Sequence, residues 1–356
     1  MKQAIFIFCC LQTAIRAQEA TSGFEVRATA SESASYTHQL AAQNEGPLTG
    51  GFRAVLYPTW KLNDHWAVSG AIQTHSTPYF FEEFSTQHYG VKTDVLQANL
   101  SYSRFWNGGS VVVRLGELPS AFGSFLLRYD DAVNPLIDMP MAYGYYYKGV
   151  SNLGLFGSQA DLTLGKLDMR AQFVNASPAN RRSIFDRDQY GNWAGGAGYT
   201  IRQGFRVGVS AYRGPYLHRN YAFYFPGEAK PRDLPGSAFG VDVQWGRGPW
   251  NVYGEWQRFQ MDYRAIPTFK EHTGYAEGRW VLHPRWYIAS RVGYLRANAF
   301  AGRQVYEFVG GFRPNRHQLA KIGYQIEQCP NIRGTLGNIL SLQLVTTFRA
   351  ISIARD

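Results

Sequence analysis

Residues 66–75 read WAVSGAIQTH. Trp66, Val68, Gly70, Ile72 and Thr74 occupy alternate places, and Ala67, Ser69, Ala71, Gln73 and His75 fill the gaps between them. The first set suits hydrocarbon and the second suits water. Side chains that change face at every residue belong to an extended strand, because a helix would repeat closer to every fourth position. A strand with one greasy and one wet face sits between two different solvents.

The same rhythm recurs along the chain. Phe205, Val207, Val209 and Ala211 alternate with Arg206, Gly208, Ser210 and Tyr212. Phe239, Val241, Val243 and Trp245 alternate with Gly240, Asp242 and Gln244. Leu340, Leu342, Leu344, Thr346 and Phe348 alternate with Ser341, Gln343, Val345 and Thr347. Short polar turns begin at Lys61, Asn107, Gly165, Arg202, Gly246, His283 and Pro314. Between them lie longer connections at 33–50, 77–92, 119–150, 177–192, 214–235, 263–270, 298–302 and 329–337. Tight turns on one side and long loops on the other describe a membrane-spanning meander.

The runs predict sixteen strands, at 24–32, 51–60, 66–76, 93–106, 110–118, 151–164, 167–176, 193–202, 204–213, 236–246, 249–262, 271–283, 285–297, 303–313, 316–328 and 338–350. The expected fold is all-β: a transmembrane antiparallel up-and-down β-barrel of about sixteen strands, a number wide enough to leave an aqueous channel. Aromatic residues near strand ends (Tyr57, Trp60, Phe105, Trp106, Trp250, Trp256, Trp280 and Trp286) suit the headgroup level on either side of the lipid.

Composition agrees. Aromatic residues make up 15% of the 356-residue chain and charged residues 17%, against a usual charged share of about 25%. Mean hydropathy is −0.29, because the two faces average out. After the first residues no apolar stretch is long enough for a membrane helix. The opening MKQ, AIFIFCCLQTAI and RAQEATSG reads as a secretory leader, with residues 1–17 cleaved after Ala17 and 18–356 forming one barrel domain. That leaves Cys329 alone, so no intramolecular disulfide is expected. The formal charge falls from +10 to +8 with the loss of Lys2 and Arg16. An exported basic chain suits anionic solutes, membrane lipid and lipopolysaccharide phosphates, and does not suit nucleic acid.

The connection at 119–150, PSAFGSFLLRYDDAVNPLIDMPMAYGYYYKGV, is the longest. It is too apolar to lie loose in water. Folded into the lumen, it would bury Phe122, Phe125, Leu126, Leu127 and Met139 against the wall and place Arg128, Asp130, Asp131 and Asp138 in the pore. Alternation puts Arg53, Arg114, Arg170, Arg206, Glu255, Glu277, Arg279 and Arg291 on the wet face, together with Asp168, Lys321 and Glu327. An Arg or Lys facing lipid near the midplane would cost about 2–4 kcal/mol. The first eight wall charges and the four loop charges are the candidate pore-lining and constriction residues. Arg residues opposite loop carboxylates would set a transverse field across the pore, or else would simply pair as lumen salt bridges.

Three stretches carry a family likeness. RLGELPSAFGSF (114–125), NPLIDMP (134–140) and GVSNLGLFGS (149–158) resemble the phosphate-selective porin O and P family. Gly116, Phe122 and Gly123 stand where that family ends a strand and enters its constricting third loop. Tyr253-Gly-Glu255-Trp256, Gly274-Tyr275 and HPRWYIASRVGYLR (283–296) resemble its second half. The resemblance spans nearly the whole mature chain. It implies a trimeric, sixteen-stranded outer-membrane pore for passive diffusion of small solutes or ions. Two departures stand out. Residues 119–150 hold two cations and three carboxylates, which argues against phosphate selectivity. Phe348 is followed by RAISIARD, where such barrels tend to end on an aromatic residue.

Catalytic and metal-binding patterns are missing. The eight His residues are scattered, and no HExxH or GxSxG occurs. No cofactor or metal is expected. The alternatives to a porin are a closed structural or adhesive barrel, or a rim-sited hydrolase in which His75 and Ser101 meet across strands.

Overall fold

The computed structural model describes residues 22–37, 46–77, 79–80, 90–144, 153–175, 190–217, 227–299, 301–329 and 335–355. The expected leader, 1–17, lies outside the described residues. Sixteen strands follow in chain order: β1 Ser22–Thr37, β2 Leu48–Lys61, β3 Trp66–Thr77, β4 Gly90–Trp106, β5 Gly109–Leu118, β6 Leu155–Leu164, β7 Leu167–Val174, β8 Asn192–Arg202, β9 Phe205–Pro215, β10 Pro235–Arg247, β11 Trp250–Met261, β12 Phe269–His283, β13 Trp286–Ala297, β14 Arg303–Asn315, β15 Gln318–Gln328 and β16 Thr335–Arg355. Each pairs antiparallel with its sequence neighbours. β1 pairs with β16, so the sheet closes on itself and has no free edge.

Alternation decides what each face meets. On β3, Ala71, Gln73 and His75 are buried toward the lumen, while Trp66, Val68 and Ile72 are exposed on the outside. The outer surface therefore carries a wide apolar band, which suits lipid. On the short-turn side, Trp250 stacks on Trp280 with ring centroids 5.0 Å apart, and Trp286 stacks on Phe312 at 4.2 Å. Trp60, Trp66 and Trp106 are exposed at the same end. These amphipathic rings form an interfacial girdle.

Several boundaries differ from the sequence-based expectation. β1 extends to Thr37 rather than stopping near residue 32, with Ser31, Ser35 and Thr37 buried on its inner face. Small hydroxyl side chains gave that segment little apolar contrast. β6 begins at Leu155, not 151, and the Pro314 turn moves on to Arg316–His317. β16 runs to Arg355 instead of ending near 350. A register shift opposite Val26 and Arg27 takes up Ala350 as an extra residue, so Ile351 and Ile353 return to the exposed outer face. Residues 349–355 thus complete the last strand. Tyr57, expected in the girdle, points inward instead and donates to Asp130.

The hydrophobic core lies between the wall and the third loop, not between two sheets. Phe122 packs with Tyr212, Tyr216, Phe259, Met261 and Phe269. Leu136 packs with Tyr287, Ala289, Val309, Leu319 and Val345. Phe125 meets Ala142, Tyr143 and Tyr275, and Met141 meets Leu295 and Val305. Burying each such side chain contributes roughly 2 kcal/mol, enough in sum to hold a loop inside a wet barrel.

Candidate functional site

The site is the third loop, whose residues 119–144 fold into the lumen after β5. Its entry depends on glycine. Gly116 adopts φ +134°, and a Cβ there would sit 2.2 Å from the carbonyl oxygen of Ala98. Gly123 also has positive φ. Gln172 on β7 catches the incoming chain: its Nε2 donates to Pro119 O (2.8 Å) and its Oε1 accepts from Ala121 N (3.0 Å). Phe122 then slides over Gly240, whose missing Cβ gives it room.

Three wall carboxylates hold the loop, two of them by its backbone. Glu255 on β11 accepts from Ser124 N (3.3 Å), Ser124 Oγ (3.0 Å), Gln257 (2.8 Å) and the Tyr143 hydroxyl (2.6 Å). Tyr143 in turn accepts from Ser124 N and Phe125 N. Glu277 on β12 receives Arg128 at 2.5 Å, and the Arg128 guanidinium also lies 3.8 Å over the Tyr253 ring. Glu307 on β14 accepts from Ile137 N, Asp138 N and Arg291.

Two wall cations, on β2 and β15, also grip the loop. Arg53 on β2 bonds Asp131 at 2.8 Å and Tyr129 O at 3.2 Å, with the Tyr129 ring 4.4 Å beneath it. Tyr79 donates to the same Asp131. Lys321 on β15 donates to three loop carbonyls, Asp131 O (2.7 Å), Asn134 O (2.9 Å) and Leu136 O (2.9 Å). Each of these charges has an opposite charge or a carbonyl as partner, as a low-dielectric contact demands, although Arg53 Nη2 and Glu277 Oε2 are left without a hydrogen bond.

Neighbouring residues therefore reach opposite walls. Arg128 engages β11 and β12, while Tyr129 engages β2 and β3, so the chain crosses the lumen at this point. Residues 132–142 then pack along β12–β16. A different set of inward charges lines β5–β10 and pairs within the wall. Arg114 bonds Asp161, whose partner in the register of β7 is Arg170. Arg206 bonds Asp168 at 2.6 Å and Asp242 at 2.7 Å. Toward the short turns, the inner face carries Arg27, Lys61, Arg279, Arg313 and Arg349 against Glu25 and the turn residue Asp64.

Of the residues singled out by sequence, Arg53, Arg128, Asp130, Asp131, Asp138, Glu255, Glu277 and Arg291 come together at the loop–wall contact. Arg114, Arg170 and Arg206 sit apart on the β5–β10 wall, and Arg279 lies below the loop beside Tyr287. Leu127 departs from expectation: it is 42% exposed, pointing into the lumen rather than packing on the wall. Alternation turns Lys321 to the wet face without marking it as an anchor, and Glu307 and Tyr143 join the site beyond the residues that the sequence points to. Glu307 stands between Tyr306 and Phe308, so alternation alone would have turned it inward. His75 and Ser101 do not meet. Their strand partners are Lys92 and Ala67, which puts them about 26 Å apart along the sheet.

No protein-family model matches the chain, and no curated protein matches it. Solved structures do. An anion-selective porin from Comamonas acidovorans superposes with TM-score 0.64 at 10% identity, over 92% of this chain and 100% of that one. The outer-membrane channel DcaP of Acinetobacter baumannii gives 0.60 at 10% identity, over 93% and 99%. The trimer form of OmpT, an outer membrane protein of Vibrio cholerae, gives 0.57 at 11% identity, over 92% and 100%. The fold is that of bacterial outer-membrane porins.

Proposed function

We propose that this chain is an outer-membrane porin that passes small solutes and ions by diffusion, with a preference for anions, and that it performs no catalysis. The observation that carries the reading is the third loop, pinned across the lumen so that a wall of water-facing charges on β5–β10 is left beside it. Export through a leader at 1–17 fits this location. The basic inner face near the short turns supports the anion preference, since fixed cations raise the local concentration of anions. The motif likeness supports a relation to the porin O and P family, while the paired charges of the lumen favour general anions over phosphate.

Reversal potential in a salt gradient across planar bilayers tests it. The wild-type barrel should conduct and favour the anion. Arg170→Gln, which removes an inward cation, should shift the potential toward the cation. A barrel without conductance would refute the pore, and an unshifted potential would refute the charge argument.

We also infer a homotrimer, from Glu32. Its side chain is on the exposed outer face, opposite Phe52 and Leu344 and among Ala30, Ala34, Ala54 and Gly50. A carboxylate is costly in lipid, and small neighbours allow close approach of a second wall. Glu32→Arg should lower the mass in detergent from trimer toward monomer by light scattering, and an unchanged mass would count against this contact.

A further inference from the structure

The outer face of the barrel is not uniform near the long loops. Across β11–β13 one row reads Arg258, His272 and Arg296, consecutive cross-strand partners. The next row toward the loops holds Gln260 and Lys270, and two strands away Arg213 stands beside Ser237. Arg213, Arg258, Lys270 and Arg296 are all exposed, and none is in an ion pair among the described residues. The carboxylate bordering them is Asp262, which is bound by Gln260 and Thr268. Just below lie Trp256, stacked on His272 at 5.9 Å, and Tyr294, followed by lipid-facing Val209, Val241 and Val292.

Cations aligned along the top of an apolar wall need a ligand that is anionic above and greasy below. The geometry points to a built site on β9–β13 for a phosphorylated glycolipid of the lipid A type in the outer leaflet, an inference that rests on the barrel spanning that membrane. The spacing favours this occupant. Arg258 and Arg296 are two strands apart, about 10 Å, and the band from Arg213 to Arg296 is about 19 Å wide. One phosphate of a phospholipid would engage one end of it. A disaccharide with a phosphate on each side reaches both, with its acyl chains lying on the valines and Trp256. The aromatic row marks where headgroup gives way to hydrocarbon, and arginine suits bidentate contacts to phosphate oxygens. The opposite outer face, on β16, β1 and β2, carries Glu32 and is the face inferred above for the subunit contact, so it is not open to such a ligand.

Fluorescent diphosphorylated lipid A, titrated into the full barrel in detergent, tests the site. Each cation near an anionic lipid surface contributes about fivefold in binding, so R258Q/K270Q/R296Q together should weaken it on the order of a hundredfold. R247Q, at the opposite rim, should bind like wild type. Dephosphorylated lipid A should bind the wild-type barrel weakly, an arm that needs no variant to fold. Equal binding by the triple variant, by the dephosphorylated ligand, or by phosphatidylglycerol would overturn the proposal. Conductance of the triple variant reports on the pore separately, so loss of lipid binding with intact channels supports the site, and a non-conducting barrel that still binds lipid refutes only the pore.

Discussion

Replacing Lys321 with methionine keeps the length and girth of the side chain and removes its ammonium. Three carbonyl oxygens, of Asp131, Asn134 and Leu136, then lose their common donor. Hydrogen bonds from a charged donor contribute about 1.5–3 kcal/mol each. The three are not additive, and water entering from the lumen replaces part of the loss. The net cost is about 3 kcal/mol, on the order of a hundredfold in the ratio of docked to released loop. Arg53 and Glu307 still hold the two ends of this segment, so the barrel should survive with unchanged heat-modifiable mobility. The middle of the loop should leave its seat more often. Single-channel records should show higher open-level noise and brief closures absent from wild type. Noise and dwell times identical to wild type would refute the view that Lys321 anchors the loop.

Tyr143→Phe should cost about 2 kcal/mol locally, since Ser124 N and Phe125 N lose a buried acceptor and Glu255 loses a donor. Amide exchange at residues 124 and 125 should accelerate more than tenfold. Gly116→Ala should slow or block assembly, because its Cβ meets backbone 2.2 Å away. Refolding yield by gel mobility measures this, and a wild-type yield would contradict it. Glu228, on an exposed loop, accepts from the N–H groups of Arg264, Ala265 and Ala229. Slight desolvation raises its pKa, but these donors more than offset that and hold it below the usual carboxylate range. A depressed pKa means the clasp between the two loops is complete above that range and lost as pH falls through the lowered value. Proteolysis at residues 262–268 should therefore rise in acid, and Glu228→Gln should show the same susceptibility at neutral pH.

The barrel was legible in the sequence because its cause is local. Which face a side chain takes follows from its neighbours two positions away, so WAVSGAIQTH assigned both faces of β3 without any partner strand. The turns were legible for the same reason, and so was the apolar content that keeps the third loop out of open water. Where the local rhythm slips by one residue it misleads: Ala350 reverses the alternation, and only its register with β1 shows that Ile351 and Ile353 face outward. Tyr57 is a related case, an aromatic near a strand end whose inward direction became meaningful only when Asp130 was found above it. The route of the loop across the lumen was beyond any local reading. Lys321 meets the carbonyl of Asp131 across 190 residues, and Glu255 meets Ser124 across 131. Such contacts exist only after closure of the sheet brings distant strands around one cavity. Short-range chemistry set the wall of this protein, and the geometry of ring closure decided what crosses its interior.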